Sequence, residues 1–179
     1  GVSYCATCDA AFFRDRKVVV VGGGDTALDE AMALASYASE VTVIHRRDQL
    51  RACSLLQERA LANKKIRFIW NSVVEDVLGE SRVEGVKLRN VKTSELSTLP
   101  IDGVFVAIGY VPNTGVFKGQ IQLDDFGYLV VHNETKTSVD GVFAAGDDQD
   151  LRYKQAITAA GQGAKAALDV VKYLQDNPL

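Results

Sequence analysis

Hydrophobic and polar positions along the chain follow two periods. Lys17 to Val21 reads KVVVV, a continuous β-branched run that stops at Gly22-Gly23-Gly24. An apolar run bounded by glycine predicts a strand buried on both faces, as in a parallel sheet. In the next stretch, DTALDEAMALASYA, residues Ala27, Leu28, Ala31, Leu34, Ala35 and Ala38 recur at helical spacing, with Asp29 and Glu30 on the other side. EVTVIH predicts a second strand, QLRACSLLQERALAN a second helix and IRFIW a third strand. From Val73 the pattern changes. VVEDVLGESRVEGVKLRNV and STLPIDGVFVAIG predict strands joined by tight turns, with Gly79 to Ser81 marking the first. The expectation is an α/β fold with an antiparallel β-meander inserted in a βαβ frame. After GYVPNT the pattern loosens into a loop. GVFAAGD then predicts another buried strand, and QAITAAGQGAKAALDVVKYLQ a closing helix.

Composition fits an ordinary globular protein. The chain has 179 residues, 47% hydrophobic and 24% charged, enough to bury a core without disulfides. A formal net charge of -3 suggests neither a nucleic-acid nor a membrane partner. The longest purely apolar runs are short, such as Val18 to Val21, too short for a bilayer-spanning helix. The three cysteines cannot all pair within one chain, and no charged-then-apolar leader is seen, so a reducing, cytoplasmic location is expected.

Chemistry concentrates in three places. Gly22, Gly23, Gly24, Asp25, Thr26 and Ala27 fit G-x-G-x-x-A between a buried strand and a helix, the context of a Rossmann-like dinucleotide loop. The first glycine allows the turn. Gly24 lets backbone approach a pyrophosphate at the helix N-terminus, and Ala27 lets helix and strand pack closely. At the end of the second strand an NAD site usually has a carboxylate for the ribose hydroxyls. This chain has His45-Arg46-Arg47, with Arg51 one helical turn beyond Arg47 if a helix starts there. Guanidinium groups grip a 2′-phosphate that a carboxylate would repel, so NADPH is expected over NADH. The third place is Cys5-Ala6-Thr7-Cys8, followed by Asp9. C-x-x-C suits a reversible disulfide with one activated thiol. It is also half of a zinc site, which His45 and Cys53 could complete, although Cys53 is expected within a helix. A further alternative is that the two cysteines are bystanders. Asp9 could cap a helix or protonate a leaving thiolate.

CATCD, GGGDTALDEA, IHRRDQLRA, FVAIGYVPNT and AAGDDQD…YKQAITAAG occur together, in the order and spacing found in low-molecular-weight thioredoxin reductases. The resemblance covers essentially the whole chain. It implies an NADPH-binding domain over about residues 1–109 and the C-terminal part of an FAD-binding domain over about 110–179. Cys8 would face the flavin and Cys5 would attack the disulfide of thioredoxin, with Asp9 as proton donor and no metal. His45, Arg46, Arg47 and Arg51 would hold the 2′-phosphate, and Ile108 and Gly109 would lie against cofactor. Asp147, after Gly146, would bond the ribityl chain, and Lys154-Gln155-Ala156 would sit at the flavin ring. Electrons would pass from NADPH through FAD to Cys5–Cys8 and on to thioredoxin, with one domain rotating against the other. The family's enzymes are expected to be homodimers.

The chain departs from the pattern in two residues. The family's RQA is KQA here, and Lys154 lacks arginine's planar fork. The family's CDG is CDA, so Ala10 would be strained if that position needs positive φ. The family also has a longer stretch before this point, carrying the first G-x-G-x-x-G for FAD. The expectation is therefore a C-terminal portion that needs a separate N-terminal FAD-domain half and is inactive by itself. One alternative is the flavoprotein subunit of alkyl hydroperoxide reductase, but CATC and HRR count against it, since that family carries C-P-H-C and lacks the basic triplet. Ferredoxin–NADP reductases of similar architecture lack C-x-x-C. A non-catalytic nucleotide-binding or redox-sensing module is a reading of another class.

Overall fold

The computed structural model describes residues 1–178. The chain divides into two compact units, Gly1–Gly109 and Tyr110–Leu179.

The first unit is built on a parallel sheet. Its strands are β1 (Val2–Ser3), β2 (Lys17–Val21), β3 (Glu40–Ile44), β4 (Ile66–Ile69) and, after the meander, β8 (Gly103–Val106). They lie in the order β1-β8-β2-β3-β4 and all neighbours are parallel. The helices of this unit are α1 (Ala6–Asp9), α2 (Asp25–Ala35) and α3 (Ser54–Ala62). Strands β5 (Ser72–Leu78), β6 (Gly85–Asn90) and β7 (Leu96–Pro100) form a separate antiparallel sheet between β4 and β8 in sequence.

The continuous KVVVV run is explained by burial on both faces. Val18 and Val20 join Leu28, Ala31, Leu34 and Phe105 in one core, under α2. Val19 points the other way, into a second core with Ile44, Val86, Leu88 and Val104 that joins the parallel sheet to the meander. Val18, Val19 and Val20 are thus buried on both faces of β2, so alternation is absent from its sequence. The C-terminal end of α2 is closed by Lys65, whose Nζ donates to the Ala35 and Ala38 carbonyls at 3.0 and 2.9 Å. A cation there also complements the helix dipole.

Three expectations are corrected. The second helix begins at Ser54, not near Gln49, and Cys53 is its N-cap rather than an interior residue. Arg47 and Arg51 are therefore not one helical turn apart. The N–H groups that a helix would use go elsewhere: Arg51 and Ala52 donate to the Gly23 carbonyl at 2.7 and 3.3 Å, and Cys53 N–H donates to Asp25 Oδ1 at 2.7 Å. Second, GVFAAGD is not a strand among the described residues. Phe143 makes an isolated bridge with Lys136, and Ala144 N–H donates to Thr135 O at 2.8 Å. Thr137 N–H also donates to the Val142 carbonyl, and Val142 N–H to the Val139 carbonyl, both at 3.1 Å, so the segment is held by turn bonds and an isolated bridge rather than by ladders on both sides. Third, Ala10 has φ -54° and ψ -34°, ordinary right-handed helical backbone, so it carries no strain.

The second unit is mostly loop, with one long helix, α4 (Ala156–Asp176). Thr135 Oγ1 bonds Asp169, Tyr173 Oη donates to Asp140 at 2.9 Å, and Lys165 pairs with Glu134 at 2.8 Å. Ile157, Leu168, Val171 and Leu174 nevertheless stand in solvent. No helix among the described residues is long and apolar enough to cross a membrane.

Leu28 is fully buried between α2 and the sheet. Leu28→Ala is expected to destabilise the first unit by about 2 to 5 kcal/mol. A drop in the urea midpoint of that unit checks it, and an unchanged midpoint would place the core elsewhere.

Candidate functional site

Parallel strands end on the same edge of their sheet. Here β1 leads into Cys5, β2 into Gly22, β3 into His45 and β8 into Ala107-Ile108. The thiol pair, glycine loop and basic segment are thus brought to one edge by strand direction alone.

Cys5 and Cys8 are joined as a disulfide with Cα atoms 5.3 Å apart. Cys5 is the N-cap of α1, and its Sγ accepts the Cys8 N–H at 3.1 Å. Ser3, buried at the end of β1, accepts the Cys5 N–H on Oγ at 3.1 Å and donates to Asp9 Oδ2 at 2.7 Å. Asp9 is thereby fixed to the backbone of Cys5. No motif in the sequence marks Ser3; its only signal there is its place two residues before Cys5.

Beneath α1 stands a group that helical periodicity assigns to the outer face of α2. Glu30 has its pKa raised, chiefly because burial disfavours the charged form, although the Ala6 N–H donates to it and acts the other way. Its Oε2 is buried without a hydrogen-bond partner.

In the glycine loop, close approach settles the residue type. A Cβ on Gly22 would stand 2.3 Å from the Ala107 carbonyl oxygen and 2.7 Å from Ala27 Cβ. A Cβ on Gly23 would stand 2.3 Å from His45 Nδ1. Gly24 is the N-cap of α2, with no side-chain cap, and Asp25 and Thr26 open the helix exposed. A cleft of about 420 Å³ lies over this loop, lined by Gly22, Gly23, His45, Arg46, Arg51 and Ile108 among others. Gly109 has φ +100°.

His45 differs in role from the arginines beside it. It is buried, and its Nε2 lies 3.1 Å from the Gln49 carbonyl. Burial lowers its pKa; the Gln49 carbonyl opposes this, while the charges of Arg51, Arg47 and Arg46 add to it. A neutral, buried ring packed on Gly23 shapes the loop. Arg46, Arg47 and Arg51 are exposed and line a second pocket of about 360 Å³ with Asp48, Asn71 and Lys92.

The residues expected near a flavin fall in the second unit. Asp147 is exposed, after Gly146 at φ +85°, whose N–H donates to Gln162 Oε1 at 2.9 Å. Asp150 accepts the N–H groups of Arg152, Tyr153 and Lys154 at 2.8, 2.8 and 3.1 Å. Burial pushes its pKa up, but those bonds and the Lys154 charge outweigh it and hold the carboxyl below its ordinary range. Lys154 has φ +48°, and its Nζ lies 4.7 Å from the Tyr128 ring centroid and 5.2 Å from that of Tyr110. Gln155 is the N-cap of α4, in a capping box with Thr158, and Ala156 is the first residue of that helix.

Comparison with known proteins places these features in a family. Residues 1–163 match the model of the pyridine nucleotide-disulphide oxidoreductases. The thioredoxin reductase of Streptomyces coelicolor is 55% identical over 175 residues, 97% of this chain and 54% of that one. That of Rickettsia felis is 53% identical over 97% of this chain and 57% of its own length. A solved thioredoxin reductase from Streptococcus pyogenes superposes with a TM-score of 0.92 at 46% identity, covering 98% of this chain and 58% of that chain. The chain thus spans little more than half the length of the relatives it matches.

A carboxyl whose folded pKa is raised binds its proton more tightly in the native state. Stability is then expected to fall as pH rises from the ordinary Glu value of 4.5 toward the raised native value. In Glu30→Gln that slope should vanish, and neutral pH should no longer cost stability. Urea midpoints of both proteins across this range check it; parallel pH profiles would show that Glu30 is not held in its neutral form.

Proposed function

The chain belongs to the pyridine nucleotide-disulphide oxidoreductase family, and from that premise we propose that it is part of an NADPH-dependent thioredoxin-disulfide reductase. The observation that carries this reading is a closed Cys5–Cys8 disulfide on the same sheet edge as a glycine loop with a basic flank. The relatives it matches over nearly its whole length are thioredoxin reductases.

The fit to NADPH rests on three features. Gly22 and Gly23 let the turn close against Ala107 and His45, and Gly24 leaves open space for a ligand, since a Cβ there would meet nothing nearer than Arg51 Nη2 at 3.9 Å. The first turn of α2 has no side-chain cap, so its N–H groups suit a pyrophosphate. Arg46, Arg47 and Arg51 are exposed together and suit a 2′-phosphate, while His45, neutral and buried, positions the loop. The fit to FAD is narrower. Asp147 is an exposed carboxylate able to accept from polyol hydroxyls, and Gln155 and Ala156 open α4 nearby in sequence. The rest of a flavin site is assigned to an N-terminal half supplied by the whole protein, a homodimer in this reading. When bound, the flavin carries the two electrons between nicotinamide and disulfide.

Reduction of Cys5–Cys8 takes two electrons and two protons. Asp9, held through Ser3 to the Cys5 backbone, is the proton-transfer group. Cys5 is the attacking thiol: its N-cap position and the Cys8 N–H stabilise negative charge on its sulfur. It forms a mixed disulfide with thioredoxin, which Cys8 then resolves. A dithiol that turns over in this way belongs in a reducing compartment, the cytoplasm.

Two measurements test this. A charge-assisted bond contributes about 1.5 to 3 kcal/mol, so Arg46→Ala should weaken NADPH about tenfold or more and leave NADH nearly unchanged. Equal losses for both coenzymes in a binding titration would sink the assignment. In the second, the reduced Cys8→Ser chain is mixed with a single-cysteine thioredoxin activated by thionitrobenzoate. Cys5 should displace thionitrobenzoate and leave a stable cross-link; Cys5→Ser should give far less. Equal trapping by both variants would overturn the assignment of Cys5 as attacking thiol, and greater trapping by Cys5→Ser would reverse the roles.

A further inference from the structure

The basic pocket contains a cation that no motif in the sequence marks. Lys92 lies in the turn between β6 and β7, and its Nζ donates to Asp48 Oδ2 at 2.7 Å. Backbone hydrogen bonds hold this turn against the basic segment. Asn71 N–H donates to the Arg47 carbonyl at 3.2 Å, and Val91 N–H donates to the Asn71 carbonyl at 2.7 Å. Lys92 N–H donates to Asn90 Oδ1 at 2.9 Å. The Lys92 backbone is thus fixed beside Arg47, while the ammonium can swing on its stem.

The charges lining this pocket do not balance. Arg46, Arg47, Arg51 and Lys92 face a single carboxylate, Asp48. The Lys92–Asp48 pair is exposed on both sides, at 61% for each side chain. Exposed pairs of this kind are weak and easily exchanged for a better partner. A phosphate with two charges and three acceptor oxygens is such a partner.

We propose that Lys92 is a further specificity determinant at this pocket, moving from Asp48 onto a phosphomonoester, and that Asp48 tunes affinity by competing for it. This rests on the reading of the neighbouring cleft as an NADPH site, and concerns how its 2′-phosphate is selected. Asp48 weakens the site for a dianion in two ways: by its own charge and by holding Lys92. Removing either residue should therefore shift phosphate affinity in opposite directions.

The test uses 2′,5′-ADP and 5′-AMP, which differ by the 2′-phosphate alone, in calorimetric titrations of the whole chain. Lys92→Ala should weaken 2′,5′-ADP about three- to tenfold and leave 5′-AMP unchanged. Asp48→Asn should tighten 2′,5′-ADP and leave 5′-AMP unchanged. Most of that gain should be lost in the double variant, because it acts through Lys92. Lys92→Arg should keep most of the affinity, and the Lys92 contribution should shrink as salt is raised. Lys92→Ala binding 2′,5′-ADP as the unaltered chain does, or losing both nucleotides equally, would overturn the proposal while leaving the NADPH reading intact. An unaltered chain that does not distinguish the two nucleotides would overturn both.

Discussion

Parallel pairing is the constraint on which the first unit depends. β2 is hydrogen-bonded to β3 on one side and to β8 on the other, with all three running the same way. Parallel strands cannot be joined by tight turns, so each connection must leave the sheet and return. The connections here are the segment with α1, then α2, α3 and the meander. Every strand then delivers its carboxyl end to one edge, and the chain just past each strand carries the chemistry: Cys5, Gly22, His45, Asn71 and Ala107. The two hydrophobic cores serve this arrangement by covering both sheet faces, which leaves the edge as the place where polar groups collect.

The loops at that edge are held by one another rather than by regular structure. The Gly23 carbonyl takes two N–H groups from the basic segment, Asp25 takes a third from Cys53, and Gly23 itself is shaped to the His45 ring. The glycine turn and the basic flank are therefore one assembly, and residues more than twenty apart in sequence set each other's conformation. The same holds at the thiol pair, where Ser3 connects Cys5 to Asp9. A side chain at this edge is best understood by its hydrogen-bond partners, since few of them come from its own element.

That is also where reading the sequence succeeds and where it stops. KVVVV, EVTVIH and IRFIW are legible as strands because burial on both faces leaves a continuous apolar run. α2 is legible because its core face repeats at helical spacing. The second helix is expected too early because Gln49 to Cys53 are helix-compatible residues, while the acceptors that unwind them, Gly23 and Asp25, lie far away in sequence. GVFAAGD is apolar enough for a strand, but composition does not report whether a neighbouring strand is there to pair with. At the site, the motifs mark the glycines, arginines and cysteines. Ser3, Glu30 and Lys92 escape them because each matters through a contact made only in the fold, and the burial of His45 against Gly23 is likewise set by the fold rather than marked in the sequence.

The shortness of β1 bears on when the thiol pair acquires its geometry. β1 has two residues, pairs among the described residues only with β8, and does so across about a hundred residues of chain: Val2 lies opposite Val104 and Ser3 opposite Phe105. β8 is in turn seated by β2 and preceded by the whole meander. Such a contact closes a long loop for little local reward, so it belongs to the late stages of folding. It is also the joint with the fewest ladder bonds in the sheet, and segments held in that way open locally before the whole domain unfolds. The loop of Cys5 and Cys8 is therefore carried on the strand with the fewest ladder partners to release.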